Sequence, residues 1–232
     1  MTIPTAATAP TASTLTTAPV AGLLARLFAE AQTSNAELRR WLGALTAEER
    51  AARITGPGAD YRALYGQARD LYLAVSPATG RLLYLLARAT GARGIVEFGT
   101  SFGVSTLHLA AALRDNGGGR LIGSELEPGK IERALDHLRT AGLADLVEIR
   151  AGDALDTLAH DLPDAIDLVL LDGHKPLYSR VLDLVAPHLR PGACLVADNA
   201  DACPDYLARV RAPDGGYLSL ALPDDVELSI AL

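Results

Sequence analysis

The stretch LVLLDGHKPLY, residues 168–178, passes from an apolar run directly into groups that can do chemistry. Four apolar residues, Leu168 to Leu171, are followed by Asp172, Gly173, His174 and Lys175. The aspartate offers hard oxygen donors, and the lysine offers a nitrogen that can carry a proton. Lys175 is one of only two lysines in the chain, the other being Lys130. A second polar pair, Asp198 and Asn199, ends the apolar run in ACLVADNA. If the two runs are neighbouring strands, two carboxylates and one amide converge. Such a set, with no His or Cys, suits a hard cation such as Mg2+ or Ca2+. The competing reading makes Asp198 and Asn199 an Asx turn that caps the next helix. Close to a cation and partly buried, Lys175 would have a lowered pKa and could act as a general base. Otherwise it is a solvated lysine at a helix start. His174 either walls a substrate pocket or lies on the surface. Cys203 could line the site, and Cys194 belongs inside a strand. His108 and His137 fall within helices, with His137 expected to face solvent.

A second cluster surrounds VEFGTSFGVST, residues 96–106. A glycine loop between a strand and a helix lets a ligand approach backbone closely. The spacing is Gly99-x-x-x-Gly103, and Ser101 stands where the dinucleotide fingerprint needs its middle glycine. No Lys or Arg lies between Arg93 and Arg114, so the loop is poorly suited to a polyphosphate. Glu97 at the strand end would repel phosphate and attract an amine or hydroxyl. Glu125 ends the next apolar run, where an acid can accept both ribose hydroxyls. Asp153, in AGDAL, could meet an adenine amino group. Three acidic strand ends in this order point to a nucleoside with a cationic or amino-acid tail, and S-adenosylmethionine fits.

Elements must bring these residues together. Short apolar runs (GIVEF, RLIGSE, LVEIR, IDLVLLD, ACLVAD) alternate with helical segments near 103–115, 128–141, 154–160 and 177–189. That alternation predicts a parallel sheet covered on both faces. YLSLAL and VELSIAL, separated by PDD, predict an antiparallel C-terminal hairpin. Helical periodicity runs from about Val20 to Arg50 through Leu23, Leu24, Leu27, Phe28, Leu38, Trp41, Leu42 and Leu45. ITGPGAD breaks it, YRALYGQARDLYL reads as another helix, and Ser76-Pro77 is a helix start. Residues 1–18 are Thr, Ala and Pro and predict a disordered or partner-draped tail. The expected layout is that tail and one domain over 19–232, with a helical cap at 19–75 and a Rossmann-like core at 76–232.

Composition bounds the function. The chain has 232 residues, 49% hydrophobic and 21% charged, with a formal net charge of −7. The acidic balance argues against nucleic acid or anionic membrane as partner. Two cysteines do not make a disulfide scaffold. No apolar run of about 18 residues is present, and the start lacks a secretion signal. A cytoplasmic protein acting on a small molecule is expected.

VEFGTSFGVST, GSELEP, GDAL, LDGHK and VADN, in this order and spacing, resemble the cation-dependent O-methyltransferases, the group of catechol and caffeoyl-CoA O-methyltransferases and their small bacterial relatives. The resemblance runs from about residue 60 to the C-terminus. It implies an α/β class I methyltransferase fold, a seven-stranded, mostly parallel sheet with an antiparallel C-terminal hairpin under an N-terminal helical cap. It assigns Val75, Glu97, Gly99, Ser101, Ser105, Glu125, Leu126, Asp153, Ala154 and Asp172 to S-adenosylmethionine. It assigns Asp172, Asp198 and Asn199 to Mg2+ or another divalent cation, and makes Lys175 the catalytic lysine beside Asp172. A homodimer is implied as well. The chain departs from the group in three places. Plant caffeoyl-CoA enzymes tend to carry a second acid where Gly173 and His174 stand, catechol enzymes have an aromatic clamp at the His174 position, and the turn in LPDDVELS is short. These departures bear on substrate identity.

The reaction expected is O-methylation of a phenol with an adjacent hydroxyl. The cation would favour the phenolate, and Lys175 would accept or stabilise the departing proton. Attack on the sulfonium methyl would be in line, helped by positioning. The rivals are a metal-independent methyltransferase acting on nitrogen or a carboxylate, a nicotinamide oxidoreductase, and a non-catalytic S-adenosylmethionine-binding scaffold.

Overall fold

The computed structural model describes residues 12–46, 48–49 and 60–232, without the side chains of 35, 37–39, 41 and 42. Most of ITGPGAD and the side chains of Leu38, Trp41 and Leu42 therefore lie outside the described residues. The strands are β1 (Gly94–Phe98), β2 (Arg120–Glu125), β3 (Val147–Ala151), β4 (Ile166–Leu171), β5 (Leu189–Asp198), β6 (Tyr217–Leu222) and β7 (Val226–Ala231). They form one sheet in the order β3-β2-β1-β4-β5-β7-β6. The first five run parallel, and β7 is antiparallel to both β5 and β6. The expected seven-stranded sheet with an antiparallel end is what forms.

Alternation along each strand splits the core between two faces. Leu168 and Leu170 of β4 join Ile95, Cys194 and Val196 on one face. Ile166, Val169 and Leu171 join Val96, Leu195 and Ala197 on the other. The first face is covered by helices α1 (Val20–Gly43), α3 (Pro77–Ala89), α4 (Val104–Asp115) and α5 (Pro128–Ala141). The second is covered by α7 (Tyr178–Val185) and α8 (Pro204–Val210). Every residue of β1 and β4 is buried, which is why both read as unbroken apolar runs.

Several expectations shift. The segment from Tyr61 forms only a short helix, α2 (Tyr61–Gln67), because the Tyr72 N–H is taken by the Ser34 hydroxyl at 2.7 Å and the chain is drawn out straight. The helix expected at 154–160 is one turn, α6 (Ala154–Thr157). The Arg150 guanidinium takes the carbonyls of Thr157 and His160 at 2.7 Å, and Asp161 turns the chain at φ +54°. α7 ends before Pro187, which cannot continue an α-helix. The described end of the expected tail is packed. Thr14 donates its N–H and its hydroxyl to Asp115, and Leu15 packs on the core. His137 is buried rather than solvent-facing, with Nδ1 2.9 Å from the Phe102 carbonyl oxygen. No described helix is long and apolar enough to cross a membrane.

Candidate active site

The strand order reverses between β1 and β4, and a parallel sheet opens its ligand crevice at such a point. Phe98 pairs with Leu171, and the Asp172 N–H donates to the Phe98 carbonyl at 2.8 Å. The two polar segments noted in the sequence therefore begin side by side. Gly99 has φ +98°, and a Cβ there would stand 2.5 Å from the Asp172 carbonyl oxygen. Only glycine allows this approach. The crevice opens into a cleft of about 540 Å³, whose walls include Gly99, Ser101, Glu125, Leu126, Asp153, Ala154 and Asp172.

Each strand end supplies a carboxylate in a distinct state. Glu125 accepts from the Ser101 N–H at 2.7 Å through Oε2, and from the N–H groups of Leu126 and Glu127 at 2.9 Å through Oε1. One lone pair of Oε2 thus stays available for a ligand hydroxyl. Asp153 caps α6 through the Leu155 N–H at 3.0 Å. Its other oxygen is occupied by the Tyr61 hydroxyl and by the Arg62 guanidinium at 2.8 Å. Burial alone pushes this carboxyl up, but the bonds from Tyr61, Leu155 and Arg62 outweigh it and hold it below its usual range.

Glu97 needs a correction. It does not face the cleft. Its wholly buried carboxylate accepts hydroxyls from Ser105 and Thr106 at 2.6 Å and from Thr100 at 3.1 Å. The alternation of β1 points it beneath the loop, where it ties the loop to the first turn of α4. Burial, only partly offset by these three hydroxyls, pushes its pKa up to about 7. Ser105 is consumed in that network. With Ser101, Thr100 and Tyr72 it lines a hollow of about 190 Å³ beside the cleft. Val75 is buried just ahead of Ser76, the N-cap of α3, and is not among the described residues lining either space.

At the other end of the cleft, Lys175 Nζ donates to Asp172 Oδ1 at 3.1 Å and to the Tyr178 hydroxyl at 2.8 Å. Asp198, buried at the end of β5, has its pKa pushed up to about 7 by burial and then by the charge of Asp172, with Lys175 opposing. Burial also pushes Asp172 up, against Lys175 and Lys130. Asn199 adopts a left-handed conformation, φ 52°, and its side chain makes no cap bond to the turn that follows. The Asx-cap reading is therefore not realised, and the exposed amide stays free for another role. Cys203 lines a hollow with Lys175, Pro176 and Ser179, and burial pushes its thiol up to about 12. Cys194 is buried in β5.

Three contributors escape sequence reasoning. Tyr61 stacks on His174, with centroids 4.9 Å apart, and Tyr65 meets the same ring edge-on at 6.1 Å. All three line the cleft, and α2 forms its roof. Lys130, on α5, is buried with Nζ 3.4 Å from the Ser101 hydroxyl and over the Phe102 ring. A cation therefore does reach the glycine loop, from the next helix rather than from the loop. The one available signal was its rarity, since nearly every other basic residue is arginine.

Residues 96–200 match the family described as a methyltransferase domain. Over 130 residues the chain is 38% identical to a catechol O-methyltransferase of Niastella koreensis, covering 55% of this chain and 58% of that protein. Over 127 residues it is 39% identical to a catechol O-methyltransferase of Mycobacterium tuberculosis, covering 55% and 57%. The chain thus spans little more than half the length of these relatives. The structure of an O-methyltransferase from Bacillus cereus in complex with SAH aligns with a TM-score of 0.64 at 22% identity, over 78% of this chain and 95% of that one. An O-methyltransferase from Streptomyces achromogenes, involved in tomaymycin synthesis and solved with SAM, aligns at 0.57 and 29% identity, over 81% and 99%. Sheet order, the antiparallel end and these structural matches define a class I methyltransferase fold. Over little more than half of its length the chain is similar to proteins named O-methyltransferases.

Proposed function

We propose that this chain transfers the methyl group of S-adenosylmethionine to a hydroxyl of a small molecule, a catechol-like phenol or phenolic natural product, with a divalent cation such as Mg2+ at the site. One observation carries the reading. The cleft that suits the cofactor includes Asp172 in its wall, and the same Asp172 holds Lys175 and lies close enough to Asp198 for its charge to raise that carboxyl's pKa. The names of the curated relatives support the acceptor class.

The residues fit both groups. Glycine at position 99 keeps the cleft floor open, and Glu125 keeps an acceptor toward it. Burial raises both Asp172 and Asp198, and the charge of Asp172 raises Asp198 further, so the pair calls for a positive partner beyond one lysine. Among the described residues no three His, Cys, Asp or Glu side chains form a metal cluster, so a cation would take Asn199's amide as third protein donor. Bound there, a divalent cation would draw the acceptor's hydroxyls in and favour proton loss. S-adenosylmethionine supplies the methyl group. Lys175 Nζ, fixed by Asp172 and Tyr178, takes the departing proton or balances the phenolate. Tyr61, Tyr65 and His174 keep water from the cleft.

Incubation with catechol and S-adenosylmethionine, read by mass spectrometry with and without a chelator, tests the reading. Monomethylated catechol that disappears with chelator, and is absent with Asp172→Ala, is expected. Chelator-insensitive turnover would remove the cation, and methylation confined to amines or carboxylates would favour the metal-independent rival. A homodimer is part of the proposal. Exposed Leu218, Leu220 and Ile230 on the final hairpin support it.

A further inference from the structure

We infer that Tyr178 is a positioning residue, whose buried hydroxyl locks Lys175 to the end of β5 and so holds the proton carrier and the Asp198–Asn199 turn as one unit. The inference rests on the reading of Lys175 as that carrier. The Tyr178 ring is fully buried and packs edge-on against Phe98 at 6.2 Å and Tyr206 at 5.8 Å. Its hydroxyl lies 2.8 Å from the Asp198 carbonyl oxygen and 2.8 Å from Lys175 Nζ. A carbonyl can only accept, so the single phenolic proton is committed to Asp198. The phenolic oxygen is left to accept from Nζ, and the direction of both bonds is fixed.

Spacing produces the arrangement. Residues 175–177 form a 3₁₀ turn that Tyr178 continues in helical conformation, so Lys175 and Tyr178, three apart, stand over one another. Asp172, in the loop at the end of β4, meets Nζ from the other side. Nζ is therefore held from two sides, by Asp172 Oδ1 and by the phenol, and one direction remains for an acceptor. A lysine on its four-carbon stem otherwise loses much rotamer freedom when fixed. The same hydroxyl pins the peptide that leads into Asn199 at φ 52°. Asn199 and Lys175 thus share one anchor although they follow different strands.

Tyr178→Phe keeps the ring and removes the anchor. Because the chain has only two lysines, ¹³Cε-lysine labelling gives two side-chain signals, assigned with Lys175→Arg. In Tyr178→Phe the Lys175 signal should move to the position and sharpness of a mobile lysine, with the Lys130 signal unmoved. Turnover of catechol should fall about 10- to 100-fold, as expected for a misplaced catalytic group, with unchanged affinity for S-adenosylhomocysteine. An unmoved Lys175 signal or an unchanged kcat would overturn the inference. If the variant does not fold, the wild type decides, since a cross-relaxation peak between the Lys175 ε-protons and the Tyr178 ring is required and its absence is fatal. A wild type that leaves catechol unmethylated sinks the reading of function instead, and the labelling result still judges the anchor.

Discussion

Gly99 shows how little room a single position of this site has. Its positive φ and the Asp172 carbonyl 2.5 Å from any added Cβ act together. Gly99→Ala should lower stability by about 1–3 kcal/mol from backbone strain alone, seen in a thermal melt, and should abolish S-adenosylhomocysteine binding in calorimetry. The carboxyls of Asp198 and Glu97, both at about 7, carry a pH signature. Their folded-state pKa values lie above those of the unfolded chain. The stability they provide is full below the ordinary carboxylate range and is lost as pH rises through about 7. Melting temperature should therefore fall between about pH 5 and 8, with Glu97→Gln flattening part of the slope. A cation binds the ionised Asp198, so its affinity should drop as pH falls below about 7, up to tenfold per unit if one proton must leave. Mg2+ titrations across that range check this, and a flat profile would count against Asp198 as ligand.

At the scale of elements, α2 lies where the cofactor's adenine is expected. Tyr61 and Arg62 already occupy Asp153, and Tyr61 and Tyr65 bracket His174. An adenine amino group that bonds Asp153 must displace them. Tyr61→Phe with Arg62→Ala should therefore raise affinity for S-adenosylhomocysteine by up to about tenfold, the equivalent of about 1.4 kcal/mol, and unchanged or weaker binding in calorimetry would show that α2 holds the ligand instead. In β4, Leu170→Ala should cost about 2–5 kcal/mol, since the side chain is fully buried. The strand ends are legible in the sequence because a doubly covered parallel strand is written as an apolar run. Asp172, Glu125 and Asp198 stand where such runs stop. The roof is not legible, because the pattern of a short helix carries no record of which strand end it lies over. Lys130 and Glu97 fail for a related reason. Their roles depend on which way a side chain turns, and a residue's place at a strand or helix end leaves that open.

At the scale of the whole molecule, the described residues leave one face of the final hairpin without cover. Leu218 and Leu220 alternate outward on β6, Ile230 pairs with Leu218, and Leu232 follows, all exposed. An apolar patch on an edge strand is a pairing surface. Light scattering should give a dimer mass, and Leu218→Lys with Leu220→Lys should return a monomer that still binds S-adenosylhomocysteine. A wild-type monomer at all concentrations would remove the dimer from the proposal.

The reversal of strand order between β1 and β4 also sets an order of assembly during synthesis. Everything that lines the cofactor side up to Ala154 leaves the ribosome before β4 exists. β1 and β2 can pair, but Gly99 has no Asp172 to meet until β4 docks against β1. The acid–lysine side follows with β5, and β7 then closes the edge of β5 in the opposite direction. A nascent chain halted after β3 would carry half a cleft and no reacting groups, so nothing it bound could be turned over before the sheet was complete.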